Sequence, residues 1–178
     1  MRLVILDRDG VINQESDAYI KTPEEWMPLP GSVEAIARLY KNGYTVVVAS
    51  NQSGVARHYF SLDTLAAIHG RMRREVEAAG GKIDSVFFCP HGPGDQCDCR
   101  KPKPGLFKQI AERYKVDLRR VPMIGDSERD LQAARAVDGR PILVKTGNGL
   151  KTLDEDHDVE EVFDDLSSAA AHLIEEIH

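Results

Sequence analysis

A chain of 178 residues, 42% apolar and 29% charged, is long enough for one domain with a full core and reads as ordinary globular protein. A net charge of −6 excludes general affinity for nucleic acid, so any anionic substrate must be met by a local cationic cluster. No apolar run approaches the roughly 20 residues of a membrane helix, which excludes a membrane partner of that kind.

The first run, Leu3-Val4-Ile5-Leu6, is apolar without alternation and stops at Asp7. Such a run suits a strand buried on both faces, as in a parallel sheet. It is too short for a signal peptide, so none is expected. Residues 14–30 are polar and broken by prolines, and predict a loop over the end of that strand. Ser32 is expected to cap a helix with Val33, Ile36, Ala37 and Tyr40 on one face, ended by Asn42-Gly43. Tyr44 to Ala49 predicts a second buried strand, running into the polar loop Ser50 to Gly54. Ser61 opens a long helix with Leu65, Ile68, Met72 and Val76 on one side, stopped by Gly80-Gly81. Ser85 to Phe88 predicts a third strand that leads into a cysteine loop.

Pro104-Gly105 starts a helix with Leu106, Ile110 and Tyr114 on one face. Val121 to Ile124 predicts a fourth strand ending at Gly125-Asp126, with Pro122 at its start because proline donates nothing to a ladder. Leu131, Ala134 and Val137 mark the next helix. Pro141 to Val144 is a fifth strand and Leu166 to Ile177 a closing helix. Strands alternating with helices predict right-handed βαβ units and a parallel sheet covered on both faces, in a single domain over residues 1–178.

Four of these strand ends carry groups suited to phosphate chemistry. The first gives Asp7 and Asp9, two carboxylates that repel unless a cation lies between them. Mg²⁺ prefers oxygen ligands and leaves room for a phosphate oxygen. The second gives Ser50, the third leads to Arg100 and Lys101, and the fourth gives Asp126 with Asp130 one turn on. Singly, each has a bland reading: Asp7 and Asp9 as a strand end and turn, Ser50 as a loop residue, Lys101 as a solvated charge. Together, an acid, a hydroxyl, a lysine and an acid recur at carboxyl ends, where open α/β sheets bind ligands.

These residues resemble the haloacid dehalogenase superfamily of phosphatases. The resemblance rests on the D-x-D of Asp7 and Asp9, on Ser50, on the K-P-x-P of Lys101 to Pro104 and on the G-D-x-x-x-D of Gly125 to Asp130. It implies a Rossmann-like α/β fold with Asp7 as nucleophile and Asp9 as general acid and base. It further implies Ser50 and Lys101 as phosphoryl stabilisers, and Mg²⁺ on Asp7, the Asp9 carbonyl and Asp126. Members often carry a cap domain; this chain has space for loops only, so a capless site is expected.

A second constellation is Cys89-Pro90-His91 with Cys97-Asp98-Cys99. Three thiolates and one imidazole suit a closed, structural Zn²⁺ site over residues 89–99. The alternative is free cysteines beside a surface histidine. Three cysteines, odd in number and close together, argue against a secreted disulfide framework and for the cytoplasm.

This combination looks like the heptose-bisphosphate phosphatase branch of the superfamily, which acts in lipopolysaccharide core synthesis, with histidinol-phosphate phosphatase domains as near relatives. Its substrate loops would fall on Glu15, Asp17 and Tyr19, on Asn51, Gln52 and Ser53, and on Arg100. Ser127 stands where some members carry a substrate-contacting lysine, and Arg129 is the candidate to replace it. The implied partner is a small sugar bisphosphate, and a monomer is expected. Its second phosphate would need its own cation: Arg100, with Arg57 and Arg129 near other strand ends. From another class, a phospho-aspartate receiver or a zinc-stabilised binding module also fits parts of the pattern. A receiver has no use for Asp9, an acid that speeds hydrolysis. His58, His69, His157 and His178 are read as surface residues.

Overall fold

The structure, a computed structural model, describes residues 1–178. Six parallel strands form one sheet: β1 (Arg2–Leu6), β2 (Tyr44–Asn51), β3 (Ser85–Cys89), β4 (Pro122–Gly125), β5 (Arg140–Val144) and β6 (Glu161–Phe163). Their spatial order is β3-β2-β1-β4-β5-β6. The helices are α1 (Ser32–Lys41), α2 (Leu62–Ala78), α3 (Gly105–Tyr114), α4 (Glu128–Arg135), α5 (Gly149–Glu155) and α6 (Leu166–Glu175).

The apolar run of β1 is split by its pleat. Val4 and Leu6 enter a core shared with α1, α2 and α6, whereas Leu3 and Ile5 enter a second core shared with α3 and α4. Alternate side chains point to opposite faces, so a strand covered on both sides must be apolar throughout. The chain leaves β1 toward β2 and returns past it to β4, so the order reverses between β1 and β4. That reversal opens a crevice at the strands' carboxyl ends. Asp7 follows β1 and Asp126 follows β4, so the two acids flank it.

The predicted loop over the site is pinned by Trp26. Its ring is wholly buried in the larger core. The Arg71 guanidinium lies 5.9 Å from the Trp26 ring centroid, and its Nη1 donates to the Pro23 carbonyl. At the base of the loop Gln14 N–H donates to Met27 O at 2.8 Å and Leu29 N–H to Ile12 O at 2.9 Å. The only helical turn inside it is a 3₁₀ turn, Pro23–Glu25, which Thr22 caps through its hydroxyl. No cap domain interrupts the chain between β1 and α1 or between β3 and α3.

Several local expectations are corrected. The N-cap of α1 is Gly31, with φ +78°, and Ser32 is the first helical residue. The Ser32 hydroxyl instead donates to Ile12 O at 2.6 Å, tying the helix start to the site loop. Tyr40 is 45% exposed and Leu39 is the buried residue of that turn. β2 runs on through Ser50 and Asn51, which therefore belong to the strand and not to a loop. α5 and β6 were not expected. Seven and three residues are too few for a hydrophobic period to register. His69 is buried, not at the surface.

Candidate active site

The crevice collects three carboxylates. Oxygens of Asp7, Asp126 and Asp130 lie within 4.8 Å of one another. Gly10 makes this approach possible. Its φ of +83° is left-handed, and a Cβ there would sit 2.0 Å from Asp126 Oδ2. Asp126 Oδ2 accepts the Asn148 N–H at 2.9 Å. Burial, then the charges of Asp7 and Asp130, push the Asp126 carboxyl up to about 9. Burial and Asp130 likewise push Asp7 up to about 7, against the opposing pull of Lys101.

Lys101 supplies the one ammonium among them, and it is 3% exposed. Its Nζ donates to Asp130 Oδ1 at 2.6 Å, to Ala49 O at 2.8 Å and to Asp7 Oδ1 at 3.1 Å. Burial opposes the charge, yet Asp130 and Asp7 hold the ammonium protonated above its ordinary range. Asp130 also accepts from Ser127 N–H and Oγ, closing a capping box at the start of α4. Asp130 is thus committed to Lys101 and Ser127. Asp7 and Asp126 remain with more negative charge than the protein neutralises. Carboxylate oxygens of Asp7 and Asp126 in reach of one another are a hard oxygen set that fits Mg²⁺.

Asp9 is held differently. Burial favours its neutral form, but Arg8, with hydrogen bonds from Asn13, Arg8 and Gln52, keeps the carboxyl below its usual range. Arg8 Nε and Nη2 reach Asp9 Oδ1 at 2.9 and 2.8 Å, and Asn13 Nδ2 reaches it at 2.9 Å. Oδ2 accepts only from Gln52 Nε2, at 3.1 Å. Arg8 is itself fully buried, and its Nη1 lies 3.1 Å from His69 Nε2. Burial and the Arg8 charge push His69 down to about 3, so the ring is neutral.

A cavity of about 320 Å³ opens above these groups. Of the residues expected in the site, Asp7, Asp9, Lys101 and Asp126 form its floor. Glu15, Asp17 and Tyr19 come from the β1–α1 loop, and Asn51, Gln52, Ser53 and Arg57 from the end of β2. Arg100 and Arg129 complete the wall. Ser50, expected among the phosphoryl stabilisers, does not line the cavity; it is buried, with its Oγ accepting from Gln52 Nε2 at 2.8 Å. Asn51 grips the Lys101 backbone at both ends: Oδ1 accepts Lys101 N–H at 2.9 Å and Nδ2 donates to Lys101 O at 3.0 Å.

Arg57, Arg100 and Arg129 share one side of the cavity and none is in an ion pair. Burial, then Arg129 and Arg57, lower the proton affinity of Arg100, so the three guanidiniums feel one another. Arg57 also stacks over the Tyr19 ring at 5.9 Å, and Tyr19 lies against Tyr59 at 5.0 Å between centroids.

Beside this wall the loop after β3 gathers Cys89, His91, Cys97 and Cys99 with one ligand atom from each within 4.8 Å of the others. Cys89 Sγ is 3.5 Å from His91 Nδ1 and 3.9 Å from Cys97 Sγ, and His91 Nδ1 is 3.3 Å from Cys99 Sγ. Those spacings fit four corners around one zinc ion. Cys89 and Cys99 approach to 2.8 Å and form no disulfide. As a free thiol Cys99 is pushed up to about 12 by burial and the neighbouring sulfurs, so it keeps its proton unless a dication takes that proton's place. Arg100 follows directly, and its Nη1 donates to His91 O at 3.3 Å.

Three participants went unrecognised in the sequence. Asn148 clasps the site by donating from Nδ2 to Glu15 Oε1 at 2.7 Å while its N–H holds Asp126. The Gly147-Asn148-Gly149 run after the fifth strand was its available signal. His69 falls in the same helical period as Leu65, Ile68, Met72 and Val76, which marks a buried face. Arg8 carried no signal beyond standing inside the D-x-D.

The raised carboxyls set a pH dependence. A carboxyl raised on folding stabilises the cation-free fold at low pH, and that contribution is lost as pH rises from about 4, the unfolded value, through about 7 for Asp7 and about 9 for Asp126. A dication on the same oxygens opposes this loss and binds without displacing protons only at high pH. Adding Mg²⁺ should therefore raise the thermal midpoint more at pH 8.5 than at pH 5.5, as read by calorimetry. An increment that stays constant across that range contradicts the assignment.

The comparisons with known proteins agree with this geometry. A HAD-hydrolase-like family model matches residues 98–169. The D-glycero-beta-D-manno-heptose-1,7-bisphosphate 7-phosphatase of Pseudomonas putida is 56% identical, over 98% of this chain and 100% of its own length. The enzyme of the same name from Pseudomonas aeruginosa is 55% identical, over 97% of this chain and 98% of its own. The crystal structure of D,D-heptose 1,7-bisphosphate phosphatase from Bordetella bronchiseptica, complexed with magnesium and phosphate, superposes with a TM-score of 0.97 at 54% identity and covers 99% of both chains. At such identity over nearly the whole of both proteins, this chain belongs to the heptose-1,7-bisphosphate 7-phosphatase family of haloacid dehalogenase-like hydrolases.

Proposed function

We propose that this chain is a Mg²⁺-dependent phosphatase that removes the 7-phosphate of D-glycero-D-manno-heptose 1,7-bisphosphate by way of an aspartyl-phosphate on Asp7. The observation that carries the substrate is the side of the cavity bearing Arg57, Arg100 and Arg129, cationic and unpaired on a chain of net charge −6. A monophosphate that reacts on the floor leaves this wall idle, whereas a second phosphate on the same sugar would neutralise it.

Asp7 Oδ1 is committed to Lys101 Nζ and to the Arg8 N–H at 2.9 Å. Oδ2 accepts no hydrogen bond from the protein and is the attacking atom. It forms the new P–O bond as the bond to the sugar oxygen breaks, and Lys101 steadies the charge on the phosphoryl group. Asp9 gives its proton to the departing sugar oxygen and afterwards takes one from the water that hydrolyses the phospho-enzyme. A phosphate anion beside Asp9 raises the carboxyl's proton affinity, which supplies the protonated form that the first step needs. Asp7 and Asp126 with the Asp9 carbonyl would hold Mg²⁺, which neutralises the acids and a phosphate oxygen together.

Cys89, His91, Cys97 and Cys99 would hold one structural Zn²⁺ and so fix the loop that presents Arg100 and Lys101. No helix is long and apolar enough to cross a membrane. Three free cysteines in one loop agree with a reducing cytoplasm. The histidinol-phosphate reading is not favoured, since every relative described above is a heptose-bisphosphate phosphatase.

Arg100→Ala should lower kcat/KM for heptose 1,7-bisphosphate at least tenfold, and for a heptose monophosphate by less than about threefold, the difference being one charge-assisted pair. Equal losses would reject Arg100 as the holder of the second phosphate. Faster turnover of histidinol phosphate than of the bisphosphate by the unmutated protein would reject the substrate itself.

Protein purified without added metal should carry zinc near one equivalent by elemental analysis. Cys97→Ser should lose that zinc and lower the thermal midpoint. Native protein without zinc, all three thiols titrating freely, would contradict the site.

A further inference from the structure

We propose that His69 is a positioning residue for proton transfer: it anchors the buried Arg8 guanidinium, and Arg8 thereby fixes the Asp9 carboxyl with Oδ2 turned to the departing sugar oxygen. This rests on the reading of Asp9 as acid and base given above, and extends it to a residue on α2 outside the cavity wall.

The argument starts from Arg8, which is fully buried and must have its donors met. Nε and Nη2 both go to Asp9 Oδ1, and Nη1 goes to His69 Nε2 at 3.1 Å. A guanidinium donates only, so His69 Nε2 has to accept and its ring proton sits on Nδ1. The ring is held in place beside Phe88, with centroids 6.0 Å apart. His69 is therefore a fixed acceptor in the interior, where a donor or a cation would be repelled.

The consequence falls on Asp9. Oδ1 receives three donor atoms, two from Arg8 and one from Asn13, while Oδ2 receives one, from Gln52. A proton on Asp9 therefore goes to Oδ2, the oxygen with a lone pair to spare. In the first chemical step the electron pair of the breaking P–O bond stays on the sugar oxygen. That oxygen takes the Oδ2 proton, and Asp9 is left as the carboxylate that Arg8 stabilises. If the His69 acceptor is lost, Arg8 Nη1 has no partner and the guanidinium has reason to turn from Asp9. The nucleophile, Lys101 and the arginine wall do not touch His69.

A purely structural role predicts equal damage to all substrates; a role through Asp9 does not. The sugar alkoxide needs a proton to leave, whereas p-nitrophenolate departs without one. The test compares kcat/KM, which excludes the later hydrolysis step common to both substrates. His69→Leu should lower kcat/KM for heptose 1,7-bisphosphate about 10- to 100-fold, less than the roughly 10²- to 10⁴-fold of a whole proton-transfer group because Asp9 itself stays in place. The loss on p-nitrophenyl phosphate should stay within about threefold. His69→Phe, which keeps a ring beside Phe88 but accepts nothing, serves where His69→Leu fails to fold. His69→Gln keeps an acceptor and should recover most of the bisphosphate activity.

Equal losses on the two substrates, no loss on either, or His69→Gln as poor as His69→Leu would each overturn the proposal. Asp9→Asn is the control, and should show the same substrate split more strongly. A split in Asp9→Asn without one in His69→Leu rejects His69 alone. No split in Asp9→Asn rejects Asp9 as the acid, and the proposal with it.

Discussion

The structure turns on one buried ammonium. Lys101 lies between Asp7 after β1, Asp130 on α4 and the Ala49 carbonyl of β2, and so ties three elements at the carboxyl edge of the sheet. Burying a lysine is unfavourable unless partners surround it, and removing one partner of such a buried set costs about 3–5 kcal/mol. Here the partners outnumber it. The excess negative charge on Asp7 and Asp126 is what a dication must meet, so the same imbalance that strains the cation-free fold makes it a metal site. Asn51 keeps Lys101 in register by holding its backbone, a role distinct from touching substrate.

Around that centre the charges are sorted by distance. Asp7, Asp9 and Asp126 line the floor with Lys101, Glu15 and Asp17 come in from the β1–α1 loop, and free guanidiniums line one wall. A sugar with a phosphate at each end matches this sorting, because each end meets a different electrostatic environment. The wall depends on its supports. Arg100 follows the cysteine cluster and leans on His91, and Arg57 leans on Tyr19 from the loop that Trp26 anchors. Without a cap domain, the wall of the site is built from loops at the strand ends, these two among them.

Much of this was legible in the residues. β1 to β5 and the strand-end acids stood out because buried parallel strands are uninterrupted apolar runs that end abruptly at polar residues. The D-x-D, Lys101 and the cysteine loop were equally visible, since their chemistry depends on short spacings in the chain. What could not be read were contacts between distant segments. Nothing in Ser32 says that its hydroxyl will reach Ile12 in place of capping its own helix, and nothing in Asn148 points to Glu15. His69 shows the limit most clearly. Its helical position marked a buried face, but a buried imidazole makes sense only once Arg8 is known to lie against it. α5 and β6 are short and rest on tertiary support, such as the Arg135 pair with Asp156 at 2.7 and 3.0 Å.

The central claim is that phosphate passes through Asp7. The direct measurement is mass spectrometry of acid-quenched Asp9→Asn protein after brief mixing with Mg²⁺ and p-nitrophenyl phosphate, which loads the enzyme without a proton from Asp9, the substitution being chosen to slow hydrolysis of the intermediate. The account predicts one phosphoryl group on the peptide containing Asp7, labile to hydroxylamine, and none when Asp7 is also replaced by Asn. Phosphate released in a single turnover with no labelled peptide, or a label on any other carboxylate, would contradict it.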